Sequence, residues 1–121
     1  MSDRKYDLEK RLIEFGVTVI HTAEKFPDSF AGKHLSGQLI RSGSAPALHY
    51  GEAVSAESRN DFIHKMKIAL KELRETNNCL QMISRLKWQE EQKINHILGE
   101  CNELISIFVK SIGTAQKNKE K

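Results

Sequence analysis

A row of basic and amide side chains on one predicted helix is the part of this sequence best suited to chemistry. The row advances in alternating steps of four and three residues, which places its members along one side of a helix. Its members are Lys67, Lys71, Arg74, Asn78, Gln81 and Arg85. A line of cations can contact successive phosphates of a nucleic acid without any base-reading geometry. The alternative is a solvated helix face on which local pairs with Glu72 and Glu75 neutralise the cations.

Arg41 is the other cation considered for this surface, and it lies on the preceding predicted helix. It either extends the positive patch or forms a buried ion pair with Glu52 or Glu72. The residues that we predict to contact RNA or DNA are Lys67, Lys71, Arg74, Arg85 and Arg41.

Two His-x-x-Glu pairs raise the question of a metal site, because each places an imidazole and a carboxylate on one helical face. The pairs are His21 with Glu24 and His49 with Glu52. Dinuclear iron sites in helical bundles use Glu-x-x-His on two helices and a Glu from each of the other two. The order here is reversed and the sequence contains no Glu-x-x-His. We therefore predict no metal and no cofactor.

The two cysteines, Cys79 and Cys101, fall on predicted helical faces, and we interpret them as small apolar core residues. A catalytic thiol would need a base and an electropositive pocket. The sequence contains no Gly-rich phosphate loop, nucleophile elbow, CxxC or HExxH motif. These observations predict a protein that is not an enzyme.

Four amphipathic segments position these side chains. They predict helices at about 4–25, 31–54, 59–87 and 90–114, followed by a disordered tail at 115–121. Pro27 ends the first segment, Pro46 predicts a kink or short break in the second, and Ser58 resembles an N-cap for the third. The inward residues expected from the second segment are Leu35, Leu39, Leu48 and Ala53. Short connections favour an all-α, antiparallel up-down-up-down four-helix bundle that forms a single domain over residues 1–121.

The charge is nearly balanced, with 19 basic and 16 acidic residues and a net charge of +3. No apolar run approaches the roughly 18–20 residues of a membrane span, and the N-terminus lacks the apolar core of a signal peptide. We expect a cytoplasmic protein with reduced thiols and no membrane partner.

Two segments carry a family resemblance: QLIRSGSAPALHYGEA at 38–53 and SRNDFIHKMKIALKELRET at 58–76. An Arg, a small-residue segment and Glu-Ala on one helix, followed by a Ser-led cap, a Phe and an Ala-x-Lys-Glu-Leu-x-Glu-Thr run, resemble a bacterial family. That family was first noticed in intervening sequences of 23S ribosomal RNA genes, and the accessory protein of diversity-generating retroelements is a related bundle. The sequence departs from the family pattern at His49, where the family usually has Asn, and at Pro46.

The resemblance implies a bundle that assembles into a ring-like homo-oligomer, often a pentamer, without established enzymatic activity. For the retroelement relatives it also implies a basic surface that engages nucleic acid and a reverse transcriptase. Four aromatic residues near predicted helix ends or the kink could form subunit contacts or cap the core; they are Tyr6, Phe30, Tyr50 and Trp88. We predict an oligomeric protein that binds RNA or DNA backbone. The alternative is a protein-interaction scaffold that binds no nucleic acid.

Overall fold

Each of the four amphipathic segments forms a helix. The computed structural model describes residues 4–120, with side chains described for residues 8–118. The helices are α1 (Arg4–Ala23), α2 (Phe30–Val54), α3 (Arg59–Leu86) and α4 (Glu91–Glu120). Residues 4–120 contain no strand, and the predicted all-α class is confirmed.

Local capping sets the ends of the middle helices. The Ser29 hydroxyl accepts a hydrogen bond from the backbone N–H of Gly32 at 3.1 Å, and Ser58 accepts one from Asp61 at 3.0 Å. Ser58 is therefore the N-cap that the sequence predicts. α3 ends where Lys87 adopts a left-handed conformation with φ 59° and donates its N–H to carbonyls of the last turn.

The C-terminal helix is longer than the sequence predicts. α4 continues to Glu120, so the predicted disordered tail is helical as far as the description reaches, and Lys121 lies outside the described residues. The residues beyond 114 favour this extension because Ala115, Gln116 and Lys117 are strong helix formers and no proline follows.

The small residues in the middle of α2 permit close helix packing. α2 is one helix that includes Pro46, so the predicted short break is absent, and the kink stays a prediction. A Cβ added to Gly43 would lie 2.5 Å from Cγ1 of Val19 on α1, and one added to Gly16 would lie 3.5 Å from the Gly43 carbonyl oxygen. Any larger residue at position 43 would therefore push α1 and α2 apart.

The core is built from the inward stripes of all four helices. The buried apolar side chains include Leu12, Val19, Leu39, Met66, Leu73, Leu80, Leu104 and Phe108. Leu48 was expected to point inward but is 70% exposed. It lies nine residues after the buried Leu39, which is two and a half helical turns, so it faces the opposite side of α2.

Helix neighbours follow the order of the chain. α1 packs against α2 and α4, and α3 packs against α2 and α4, with the α1–α4 pair the least extensive. Thr76 of α3 is buried against α2, where its hydroxyl lies 2.9 Å from that of Ser42 and 2.8 Å from the Glu72 carbonyl. Because the Thr76 hydroxyl has only one proton, it donates to the Glu72 carbonyl and accepts from the Ser42 hydroxyl. None of the helices within residues 4–120 is long and apolar enough to cross a membrane.

Candidate nucleic-acid interface

The four predicted cations of α3, named here the cationic row, are Lys67, Lys71, Arg74 and Arg85. All four side chains are exposed, as are Asn78 and Gln81 between them. Since α3 rises about 1.5 Å per residue, the row extends over about 27 Å of helix. The structure therefore brings these residues together along one solvent-facing line.

Among side chains 8–118, no carboxylate lies within ion-pair distance of the cationic row. Lys71 and Glu75 have the i,i+4 spacing that favours a local pair, and such pairs were the sequence alternative to phosphate binding. Glu75 instead contacts Arg41 of α2. The row consequently keeps its positive charge unneutralised by a carboxylate of the described chain.

Arg41, Glu72 and Glu75 form a three-residue group, named here the Arg41 cluster. Nη1 of Arg41 lies 3.0 Å from Oε1 of Glu72, and Nη2 contacts both Glu75 and Gln38. The hydrogen bond that Arg41 donates to Glu72 raises the pKa of Arg41, and the charges of both glutamates act in the same direction. The sequence suggested Glu52 or Glu72 as the partner of Arg41 in a buried ion pair. Glu72 is the partner, but the Arg41 side chain is half exposed.

Arg11 of α1 forms a second group of this kind with Glu100 and Glu103 of α4, named here the Arg11 cluster. Its Nε and Nη2 atoms donate to the two oxygens of Glu100 at 3.0 and 2.7 Å, and Nη2 also lies 3.0 Å from Glu103. The bidentate hydrogen bond to Glu100 raises the pKa of Arg11. This cluster was not predicted from the sequence, because Arg11 and Glu100 are 89 residues apart in the chain.

Amide side chains join α3 to α4 beside the cationic row. The Asn77 amide donates to Asn102 of α4 at 2.7 Å and accepts from Gln81 at 2.8 Å. Arg85 in turn donates to the backbone carbonyl of Gln81 at 3.1 Å, and its Nη1 lies 3.5 Å from Oε1 of the Gln81 side chain. This chain of contacts fixes one edge of the row to the neighbouring helix. Asn77 and Asn102 were not singled out in the sequence, where nothing distinguishes them from surface amides.

The histidine–glutamate pairs form, but each has only two members that could bind a metal. Nδ1 of His49 lies 3.2 Å from Glu52, which also lies 3.8 Å from Nζ of Lys65. His21 lies 3.9 Å from Glu24. Within the described residues, no group of three or more His, Cys, Asp or Glu side chains could hold a metal ion.

Both thiols are buried and each faces a neighbouring helix. The Cys101 Sγ lies 3.4 Å from the Leu73 carbonyl, and the Cys79 Sγ lies 4.0 Å from the Leu35 carbonyl. Burial raises the pKa of Cys79, and it raises the pKa of Cys101 to about 12. Neither thiol is therefore activated as a nucleophile at neutral pH.

The aromatic residues divide between core and surface. Tyr50 is buried and packs edge-on against Phe108 at 6.1 Å between ring centroids, which makes it a core residue. Trp88 packs against Phe26 in a tilted arrangement, with 5.3 Å between ring centroids and 58° between the ring planes. Phe30 is 90% exposed and stays a predicted subunit contact, whereas the Tyr6 side chain lies outside the described residues.

Comparison with known proteins identifies the family. A crystal structure of a protein of unknown function from the S23 ribosomal protein family of Bacteroides thetaiotaomicron superposes with a TM-score of 0.81. It is 28% identical, and the match covers 87% of this chain and 97% of that one. The comparison with curated proteins gave no match. The family model for the 23S rRNA-intervening sequence protein matches residues 4–110. The chain therefore belongs to the 23S rRNA-intervening sequence protein family.

Proposed function

We propose that this protein is a non-catalytic helical bundle that binds the sugar–phosphate backbone of RNA or DNA through the cationic row of α3. One observation above all supports the proposal: four exposed cations lie in line with no carboxylate partner among the described side chains. Phosphate contact requires positive charge that is available and aligned, and the row has both properties.

The spacing of the row suits contact along a strand rather than insertion into a groove. The row extends over about 27 Å of α3, so its cations can contact several successive phosphates without reading base edges. The row can instead lie along phosphates at the surface of a nucleic acid. If all four cations contact phosphates, log K should fall with log salt with a slope of about −3.6 on duplex DNA and about −2.8 on single strands.

Arg41 supports this surface in a different way from the row. Its guanidinium is occupied by Glu72 and Glu75, so we assign it the role of holding these carboxylates away from Lys71. The predicted direct contact between Arg41 and phosphate becomes secondary in this proposal.

Self-association would multiply the effect of one row. The family resemblance implies a ring-like homo-oligomer, and we propose a pentamer, in which several weak patches on one nucleic acid gain avidity. Exposed apolar side chains support such contacts, since Phe30 and Leu48 lie on the outward side of α2, and Ile13 and Val17 are about half exposed on α1.

The same apolar side chains favour a second candidate function, a protein-interaction scaffold. In that case the partner would be another protein, such as the reverse transcriptase implied for the retroelement relatives, and the surface charge would serve solubility. Scattered exposed apolar residues are normal, but Phe30 at 90% and Leu48 at 70% exposure share one helix face.

Fluorescence anisotropy with labelled single-stranded and duplex RNA and DNA, measured over a salt series, tests the main proposal. Lys67→Glu with Lys71→Glu should abolish binding. Lys10→Glu with Lys33→Glu, which changes the net charge equally on the exposed sides of α1 and α2, should retain most of it. Binding that is absent or independent of salt would refute the proposal, and equal losses in the two double variants would refute the assignment to α3.

Light scattering tests the oligomer separately. The chain mass is 13.8 kDa, so a pentamer should show five times that mass. Leu48→Glu should lower the mass if the outward side of α2 is the interface, whereas Lys10→Glu should not. A monomer at micromolar concentration would contradict the proposed ring and leave the phosphate-binding test unaffected.

A further inference from the structure

A cleft of about 1180 Å³ lies at one end of the bundle, away from the cationic row. It opens where the end of α2 and the start of α3 face the C-terminal half of α4, with Leu8 and Arg11 of α1 completing the wall. Small-molecule sites are typically about 300–1,000 Å³, so the cleft is large enough for a ligand. No residue of the cationic row lines it.

The floor of the cleft is apolar and accessible. Val54, Phe62 and Ile107 line it and are only partly buried, although each packs against the core. Leu8 and Ala115 extend the apolar surface. A ligand with a hydrocarbon portion would remove this surface from water, which is favourable by about 25 cal/mol for each Å² buried.

Two cations of the cleft lining have no carboxylate partner among the described side chains. Arg11 is not one of them, because it is shared between Glu100 and Glu103 in the Arg11 cluster. Arg59 and Lys110 are exposed and have no ion-pair partner among the described side chains, and Glu57 is the remaining charged group of the lining. A negative head group can therefore be held beside Arg59 and Lys110, the two unpaired cations of the lining.

We propose that this cleft binds a free amphipathic anion, specifically an acyl carboxylate whose hydrocarbon chain lies on the floor. The carboxylate is placed at the rim with Arg59 and Lys110, where charge-assisted hydrogen bonds can form. The chain runs along Val54, Phe62 and Ile107. This site is independent of nucleic-acid binding because the two surfaces share no residue.

Isothermal titration with dodecanoate, kept below the concentration at which it forms micelles, tests the proposal. Saturable binding of one dodecanoate per chain is expected. Dodecanol lacks the charge and acetate lacks the hydrocarbon chain, so both should bind at least about tenfold more weakly. No saturable binding, or dodecanol binding as tightly as dodecanoate, would overturn the proposal.

Variants locate the site. Ile107→Glu should abolish binding, and Lys110→Glu, which changes an exposed side chain and so leaves the core intact, should weaken it about tenfold. Glu57→Gln removes the competing carboxylate and should strengthen binding. Lys93→Glu, at the other end of α4, and the Lys67→Glu, Lys71→Glu pair should leave it unchanged. Unaltered affinity in Lys110→Glu, or equal loss in Lys93→Glu, would place the ligand elsewhere.

Discussion

The Arg11 cluster and the Arg41 cluster use the same chemistry at two different helix pairs. In each, one arginine reaches two glutamates on a neighbouring helix. The Arg11 side chain is 31% exposed and joins α1 to α4, the least extensively packed pair. The Arg41 side chain is 50% exposed and joins α2 to α3, the most extensively packed helix pair.

This difference indicates that the surroundings, rather than the ion pair itself, set what each cluster does. Exposed ion pairs contribute little to stability, whereas hydrogen bonds to partly buried charged groups contribute more. We infer that the Arg11 cluster stabilises a helix pair that has few other contacts. The Arg41 cluster adds little to stability and mainly determines which carboxylates face the cationic row.

The largest expected effect is on the free energy of unfolding of Arg11→Ala. We expect a loss of about 2 kcal/mol, because the bidentate hydrogen bonds to Glu100 disappear and both glutamates lose their partner. Arg41→Ala should cost much less than Arg11→Ala, because the Arg41 ion pairs are more exposed to solvent. Urea unfolding followed by circular dichroism measures both values.

Arg11→Lys is the control for this comparison. It keeps the charge but lacks the planar fork that contacts both oxygens of Glu100, so its stability should lie between wild type and Arg11→Ala. Equal losses in Arg11→Ala and Arg41→Ala would show that burial does not distinguish the two clusters.

The next effect is on nucleic-acid affinity and depends on the proposed function. Arg41→Ala frees Glu75 to pair with Lys71, four residues earlier on α3. Affinity should therefore fall by up to about fivefold. Anisotropy at low salt, where electrostatic effects are largest, measures the change.

A triple variant separates the two roles considered for Arg41. Replacing Glu72 and Glu75 by Gln in the Arg41→Ala background removes the freed carboxylates. Affinity should return to the wild-type value or above if Arg41 acts by holding the glutamates. If Arg41 contacts phosphate directly, the triple variant should stay weaker than the control variant with only the two Gln substitutions.

The sequence predicts most of the fold because hydrophobic periodicity is strong in α1, α3 and α4. Met66, Ala69 and Leu73 repeat at helical steps and are all buried. In α2 the pattern is weaker, since small residues such as Ser42 and Gly43 occupy the interior by size rather than by hydrophobicity. The prediction that Leu48 points inward was wrong for this reason.

Part of the candidate site could likewise be predicted from the sequence, and part of it could not. Exposure of the cationic row follows from the periodicity of one helix, so the sequence could predict it. Arg41 pairs with Glu72 and Glu75 because of the way α2 and α3 are aligned. A single sequence does not give the alignment of two helices. The cleft was not predicted because its floor combines side chains as distant in sequence as Leu8 and Ile107.

The thiols provide the last expected effect, which appears only at alkaline pH. Burial raises the pKa of Cys101 to about 12, with the Glu100 charge acting in the same direction and the Asn77 hydrogen bond opposing it. Burial, and then the Glu75 charge, raise the pKa of Cys79. Cys101, beside the Arg11 cluster, is therefore the thiol with the stronger effect on stability at alkaline pH.

Stability should fall as the pH rises above 9, because unfolding then releases a proton from Cys101. The unfolded thiol titrates near its ordinary pKa of 9.0, whereas the folded thiol stays neutral until about pH 12. This one proton should lower the free energy of unfolding by about 1 kcal/mol between pH 9 and pH 10. Lysines and tyrosines titrate in the same range, so the measurement is the difference between wild type and Cys101→Ala in urea unfolding at each pH. Cys101→Ala should show a shallower decline than both wild type and Cys79→Ala, and three parallel declines would contradict the assigned burial of Cys101.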